Sequence, residues 1–357
     1  MHHDTIAAIR VIGEGADDDH RLRPEAWVPD LGPEAGALTR VLMRSAPIAE
    51  HIDSYQSNRL DAARGQRRFK FYVGWAATLS FIAVVAAAVQ LVVFGFDLPE
   101  AAAVVEELSF VTGGAIALSF ILSLLGAWRG PFSAWMTSRA LTETARLRLF
   151  NEIAAAKEAH RGDELPLLPL QLEFFRRYQL DVQRLYYSKR GGEHRRAVYR
   201  AHALRAIALI LVIAAAVPPI ASLIDVPWEQ WPGVRDILAA LGHGKISPDL
   251  EARVFVGLGT IGAALQGLLA ARLLMSQHER NATRYAATLA NLEALAERPL
   301  DEARQAAVDN DRAAVLGFIA LVQEQISSEH REWVALQTIA PDLSLARLRE
   351  LALPRLG

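Results

Sequence analysis

The 357 residues include no cysteine. That excludes a disulfide framework, a thiolate-bound zinc and a thiol nucleophile. No one sign of charge dominates either: 38 Lys and Arg stand against 40 Asp and Glu, a net charge of −2. A chain so balanced has no global pull toward nucleic acid, and none is expected as a partner. The ten histidines form no HExxH pair and no cluster with ligand spacing. There is no Walker loop, and no Ser, His and Asp set on a strand-turn-helix elbow. No catalytic residue, cofactor or metal ligand can be assigned, and the expectation is a protein that is not an enzyme. No signal-peptide-like run opens the chain. Residues 1–33 carry Gly, Pro and Asp with little periodicity and read as a flexible arm.

Charge is also missing from long internal stretches, and these organise the chain. Residues 71–94, FYVGWAATLSFIAVVAAAVQLVVF, hold no charge. As a helix they extend about 36 Å, enough to cross a hydrocarbon core of about 30 Å. A second uncharged run covers 108–128 and a third 206–224, and a fourth apolar run, 254–275, carries Arg272 near its end. The short acidic connection between the first two makes them an antiparallel hairpin, and the last two form another. The expected fold is all-α: a polytopic membrane protein with four transmembrane helices as two hairpins, plus a cytoplasmic helical bundle. Pro218 and Pro219 should kink or end the third span. Tyr72, Trp75, Trp128 and Trp135 sit where an interfacial belt would lie.

The remaining sequence reads as amphipathic helices. Leu38, Val41, Leu42, Ile48, Ile52 and Tyr55 recur at helical spacing before the first span, with a bend at Gly65. Leu147, Phe150 and Ile153 share a face after the second. A helix over 170–199 is expected to bend at Gly191 and Gly192. One long helix is expected over 301–337, with Val315, Ile319, Val322 and Ile326 on its seam. Between spans two and three, residues 129–205 hold 15 Lys and Arg against 8 acids, whereas both hairpin loops are net acidic. By the positive-inside rule both termini face the cytoplasm, and the protein belongs in the inner membrane. Arg67, Arg68, Arg195 and Arg196 serve as topology signals.

Residues 67–89 align without gaps on 195–217, with eight of 23 positions identical, including the Arg pair and the run AAAV. Each copy continues through a second span into a charged helix. The expected domains are therefore a first helix-hairpin-helix unit at 34–160, a second at 161–340, and a tail at 341–357. The second copy resembles the SLATT family, SMODS and SLOG-associating two-transmembrane effector domains. The resemblance lies in YYSKRGGEHRRAVYRAHALRAIALILVIAAAVPP (186–219), RNATRYAATLANLEAL (280–295) and AAVLGFIALVQEQISSEHREW (313–333). The positions that carry it on the cytoplasmic helices are Tyr186, Tyr187, Glu324, Glu329 and Trp333. The resemblance implies an oligomeric effector that forms pores or perturbs the membrane when a separate nucleotide-sensing protein activates it, in bacterial defence or conflict. The alternative is an anchor or scaffold whose cytoplasmic helices recruit a signalling partner.

Two groups of span residues bear on function. Gly257, Gly259 and Gly262 match GxGxxG, a dinucleotide fingerprint when a strand precedes it. No second βαβ unit follows, so the glycines read instead as helix packing, with Gly259, Ala263 and Gly267 four apart on a small face. Thr78, Ser80, Gln90, Ser119, Ser123, Thr260 and Gln266 are the polar residues inside the spans. They either line a pore in an assembly or bond back and bridge helices. Tyr186, Tyr187 and Trp333 read as bundle core rather than a ligand cage.

Overall fold

The computed structural model describes residues 3–13, 22–94, 101–159, 161–223 and 248–339. Among these residues the regular elements are helical and there is no strand. The helices are α1 (His3–Ile12), α2 (Pro24–Trp27), α3 (Gly36–Arg44), α4 (Ala46–Val93), α5 (Ala101–Arg129), α6 (Pro131–Ala155), α7 (Leu167–Phe175), α8 (Val182–Leu223), α9 (Pro248–Ser276), α10 (His278–Leu295), α11 (Arg298–Val308) and α12 (Arg312–Ile339). A π-helical turn, Arg176–Asp181, joins α7 to α8. Among the described residues four helical stretches are long and apolar enough to cross a membrane. The chain is thus an all-α, multi-pass membrane protein. The expected tail at 341–357, the loop tryptophans Trp228 and Trp231 and most of the second hairpin loop lie outside the described residues, as do the side chains of Pro218, Pro219, Glu329 and Trp333. The backbone of α8 remains helical through the two prolines to Leu223.

The chain divides into two units that cut across the boundaries expected at 34–160 and 161–340. One gathers Met1–Arg67, Gly130–Arg195 and Arg280–Gly357; the other holds Arg68–Arg129 and Arg196–Glu279. The physical reason is segregation by surface. Helices with one apolar stripe bury it against each other, and helices apolar all round associate with their own kind.

The charged unit has a core that includes Leu38, Ile48, Leu149, Phe150, Ile153, Leu170, Phe174 and Phe175. The expected flexible arm is in part core here. Ala8 and Ile12 of α1 are fully buried, and Trp27 packs edge-on against Phe174 with ring centroids 5.1 Å apart. Helix α1 ends at Gly13, whose φ of +82° suits glycine. The Gly13 carbonyl accepts from Arg176 Nη2 at 2.9 Å, and the Ile12 carbonyl accepts from Arg177 Nη1. Two arginines of the π turn therefore satisfy carbonyls that a helix C-terminus leaves open.

The same turn supplies a buried ion network. Glu173 is 1% exposed and accepts from Arg176 Nε at 2.5 Å and from Arg304 Nε at 2.7 Å. Arg176 also reaches Asp181 at 2.6 Å. Burial pushes the Arg304 guanidinium down, but hydrogen bonds to Glu173 and Asp301 outweigh that and hold it above its ordinary value. Buried Gln171 caps α6 by donating to the carbonyls of Ile153 at 2.6 Å and Ala156 at 2.9 Å, and Arg312 adds bonds to Ala154 and Ala156. Arg40 clamps the 156–166 connection through Glu158 at 2.8 Å and Glu164 at 2.7 Å.

Three local expectations are corrected. The single helix over 301–337 is two: Asn310 adopts φ +57°, and Asp311 Oδ1 accepts from the Ala314 amide at 3.1 Å as a cap for α12. Val315, Ile319, Val322 and Ile326 are buried as their spacing implies. No break occurs at Gly191 and Gly192, which lie inside α8; the irregular turn falls earlier, at Arg176–Asp181. Gly65 lies inside α4, and a Cβ there would meet the Trp135 Cα at 2.9 Å. It permits close helix approach rather than a bend, and it explains why Trp135 is buried at 9% exposure rather than part of a belt.

Candidate functional site

The apolar unit is held by pairs that match a position further along one helix with a position further back on the next. Between α4 and α5 these are Tyr72 with Arg129 at 2.7 Å, Ser80 with Ser119 at 2.8 Å and Gln90 with Ser109 at 2.8 Å. That order makes the two helices antiparallel. Between α8 and α9, Gln266 Nε2 donates to the Arg205 carbonyl at 3.1 Å, and Gly262 and Gly259 lie beside Ala208 and Ala215. Helix α9 also meets α4, where Gly257 lies against Val92 and the Ala88 carbonyl, and Arg272 Nη2 donates to Thr78 Oγ1 at 3.2 Å.

Glycine placement decides how closely α9 approaches. A Cβ on Gly262 would lie 3.0 Å from the Ala208 carbonyl oxygen and 2.9 Å from Val212 Cγ2; one on Gly259 would lie 3.2 Å from the Ala215 Cβ. Ala263 is exposed, and nothing lies within 4 Å of a Cβ on Gly267. The contact face therefore advances by three and four, through Gly259, Gly262, Gln266 and buried Leu269, and not by the four-residue step through Ala263 and Gly267. The GxGxxG residues all lie within α9, so they present no strand-to-helix turn.

The seven expected polar span residues are satisfied within the unit. Thr78 donates to the Gly74 carbonyl at 2.8 Å, Ser123 to Ser119 at 2.9 Å and Thr260 to Val256 at 2.8 Å. Ser119 donates to the Ala76 carbonyl at 2.9 Å, which leaves Ser80 as donor in the Ser80–Ser119 pair. In hydrocarbon such bonds replace the water a hydroxyl would otherwise keep. Ser109 and Thr112 were not among the expected polar residues. Ser109 accepts from Gln90 and donates to Val105, while the Thr112 hydroxyl is buried without a partner.

Four of the seven expected residues converge. Ser80, Ser119, Ser123 and Thr260 line one open groove of about 530 Å³, whose remaining walls include Ala83, Ala87, Ile116 and Phe120. Thr78, Gln90 and Gln266 lie elsewhere. The groove carries hydroxyls and methyl groups but no ionisable side chain, so it offers weak polar contact without acid-base chemistry.

Of the positions that carry the family resemblance, Tyr187 is 2% exposed and Tyr186 packs against it at 5.4 Å. Tyr285 lies 5.4 Å from the Tyr187 ring and 5.4 Å from that of His194. These rings fill the charged unit's core. Glu324 lies on the exposed side of α12. Arg67 and Arg68 are exposed near the start of the first apolar stretch, and Arg195 and Arg196 near the start of the third. Among the described residues no group of His, Asp and Glu could hold a metal ion. Comparison with protein-family models, curated proteins and solved structures finds no match.

Proposed function

We propose that the chain is a membrane effector that assembles from several copies and opens a pore, or perturbs the bilayer, when a separate sensor protein activates it. The observation that supports this reading is the convergence of Ser80, Ser119, Ser123 and Thr260 on one open groove inside otherwise apolar helices. Several copies arranged around an axis would bring these hydroxyl-bearing faces to a common lumen. The nucleotide-sensing partner and the role in bacterial defence rest on the resemblance to SLATT effectors, as does the choice of a non-enzymatic mechanism. The loop charges support an orientation with both termini on the cytoplasmic side of the inner membrane. The echo of 67–89 in 195–217 supports descent from a duplicated hairpin.

Because the chain has no cysteine, single cysteines at Ser123 and Thr260 test the pore directly. Both should react with a membrane-impermeant thiol reagent in activated cells, and reaction should block ion leak. Protection of both positions while the leak proceeds would eliminate this lumen.

A second reading has its own support: Ser80, Ser119, Ser123 and Thr260 each already have a hydrogen-bond partner within the unit. The spans would then anchor a scaffold whose charged helices recruit a signalling protein. Replacing the spans with unrelated transmembrane helices would preserve the function of a scaffold and abolish that of a pore.

A further inference from the structure

One end of the α4–α5 hairpin carries cations with no acid near them in sequence. No Asp or Glu occurs in residues 62–96 or 108–142. Lys70 and Arg129 are both exposed, and among the described residues the hydrogen bond of Arg129 is to the Tyr72 hydroxyl at 2.7 Å. Tyr72 is itself held in place, 9% exposed and packed over Gly126, where a Cβ would lie 3.2 Å from its own. Its oxygen accepts from Arg129, so its proton is available to a third group. A guanidinium has five N–H donors in a planar fork, and only one of those on Arg129 is engaged with Tyr72.

The surroundings indicate where this end lies. Trp128, Trp75 and Phe71 are 70%, 51% and 53% exposed around it. Beyond them the helices are apolar for the length of a bilayer core. Exposed indole rings at the end of an apolar span mark the headgroup layer, where amphipathic aromatics settle. The anion that Arg129 meets at that depth is a lipid phosphate, with the acyl chains running beside the hairpin.

We propose that Tyr72 and Arg129 form a binding site for the phosphate of an anionic phospholipid headgroup. The Arg129 fork supplies paired N–H donors and the Tyr72 hydroxyl a third. The site is independent of whether the spans form a pore or an anchor.

Native mass spectrometry of the full chain, released from nanodiscs of phosphatidylglycerol or phosphatidylcholine, tests this. The unmodified protein should retain phosphatidylglycerol at least tenfold more than phosphatidylcholine, the scale of a charge-assisted bond. Arg129→Gln should abolish that preference. Tyr72→Phe should reduce it several-fold while the Arg129 charge remains. Arg298→Gln, which removes an 88% exposed cation from the charged unit, should leave it unchanged. Millimolar inorganic phosphate should not displace the lipid. Equal retention of the two lipids, an undiminished preference in the Arg129 variant, or displacement by phosphate would overturn the proposal. Matching far-ultraviolet circular dichroism shows that each variant has folded.

Discussion

Glu173→Ala is expected to destabilise the charged unit by about 3–5 kcal/mol, the cost of breaking a buried ion pair from one side. The magnitude comes from what the substitution leaves behind. Arg176 would keep the Asp181 carboxylate and the Gly13 carbonyl. Arg304 would keep only Asp301, at 3.2 Å and 69% exposed, so most of its compensation would be gone. Tryptophan fluorescence of the intact protein in detergent can follow the loss, because Trp27 is 3% exposed and contacts Phe174, the neighbour of Glu173. For a unit of roughly 200 residues, each kcal/mol moves the midpoint by about 2–4 °C, so the transition should fall by about 6–20 °C. Glu173→Leu combined with Arg304→Met removes both partners and leaves Arg176 with Asp181. Buried pairs exchange nearly evenly with apolar side chains, so the double variant should recover most of the loss. A drop below 2 °C for Glu173→Ala, or a double variant no more stable than the single one, would refute this reasoning.

Further substitutions probe the other contacts. Gly65→Ala forces a Cβ to 2.9 Å from the Trp135 backbone and should cost about 1–3 kcal/mol in the same unfolding experiment; no measurable change would mean that α4 and α6 can part freely. Gly262→Leu should lower resistance of the spans to unfolding in dodecyl sulfate, whereas Gly267→Leu should not, since only Gly262 lies against a neighbouring backbone. Reversed sensitivities would restore the four-residue packing face. The Glu164 carboxyl, hydrogen-bonded to Arg40, is held at about 2 against an ordinary 4.5. Because the folded value is depressed, the contact stabilises fully above pH 4.5 and its contribution is lost as pH falls from there toward 2. Arg40→Gln should therefore flatten the pH dependence of unfolding in that window, and an unchanged profile would exclude the clamp as its source.

The spans were legible because a bilayer imposes a one-dimensional rule: enough consecutive uncharged residues to cross about 30 Å. The seams were legible where one helix repeats one face, as at Val315, Ile319, Val322 and Ile326. What escaped the reading depends on residues distant in sequence. Glu173 and Arg304 are 131 positions apart, and each alone reads as solvated surface. Gln171 is a polar residue in an apolar run until the open carbonyls of α6 give it a purpose. The turn at Asp309, Asn310 and Asp311 did carry a local signal, since Asn tolerates the left-handed region and Asp caps the helix that follows. The heptad spacing starts only at Val315, after this turn, and gave no sign of the break.

The small-residue face failed for a related reason and bears on function. A four-residue step drifts around a helix that turns every 3.6 residues, whereas alternating steps of three and four keep contacts on one side. Gly259, Gly262 and Gln266 follow the alternating pattern and meet α8, where Ala208 and Ala215 are buried, and buried Leu269 continues it. With that face occupied inside one copy, Ala263 and Gly267 remain exposed and are not needed to hold α9 against α8. Ser80, Ser119 and Ser123 are likewise bonded within the α4–α5 hairpin. Assembly into a pore therefore need not break a bond made by these hydroxyls. It would have to bring water to a groove whose polar groups, the Thr112 hydroxyl apart, are already paired. This is why accessibility of Ser123 and Thr260 to an aqueous reagent separates a pore from an anchor more directly than any substitution that merely removes their hydroxyls.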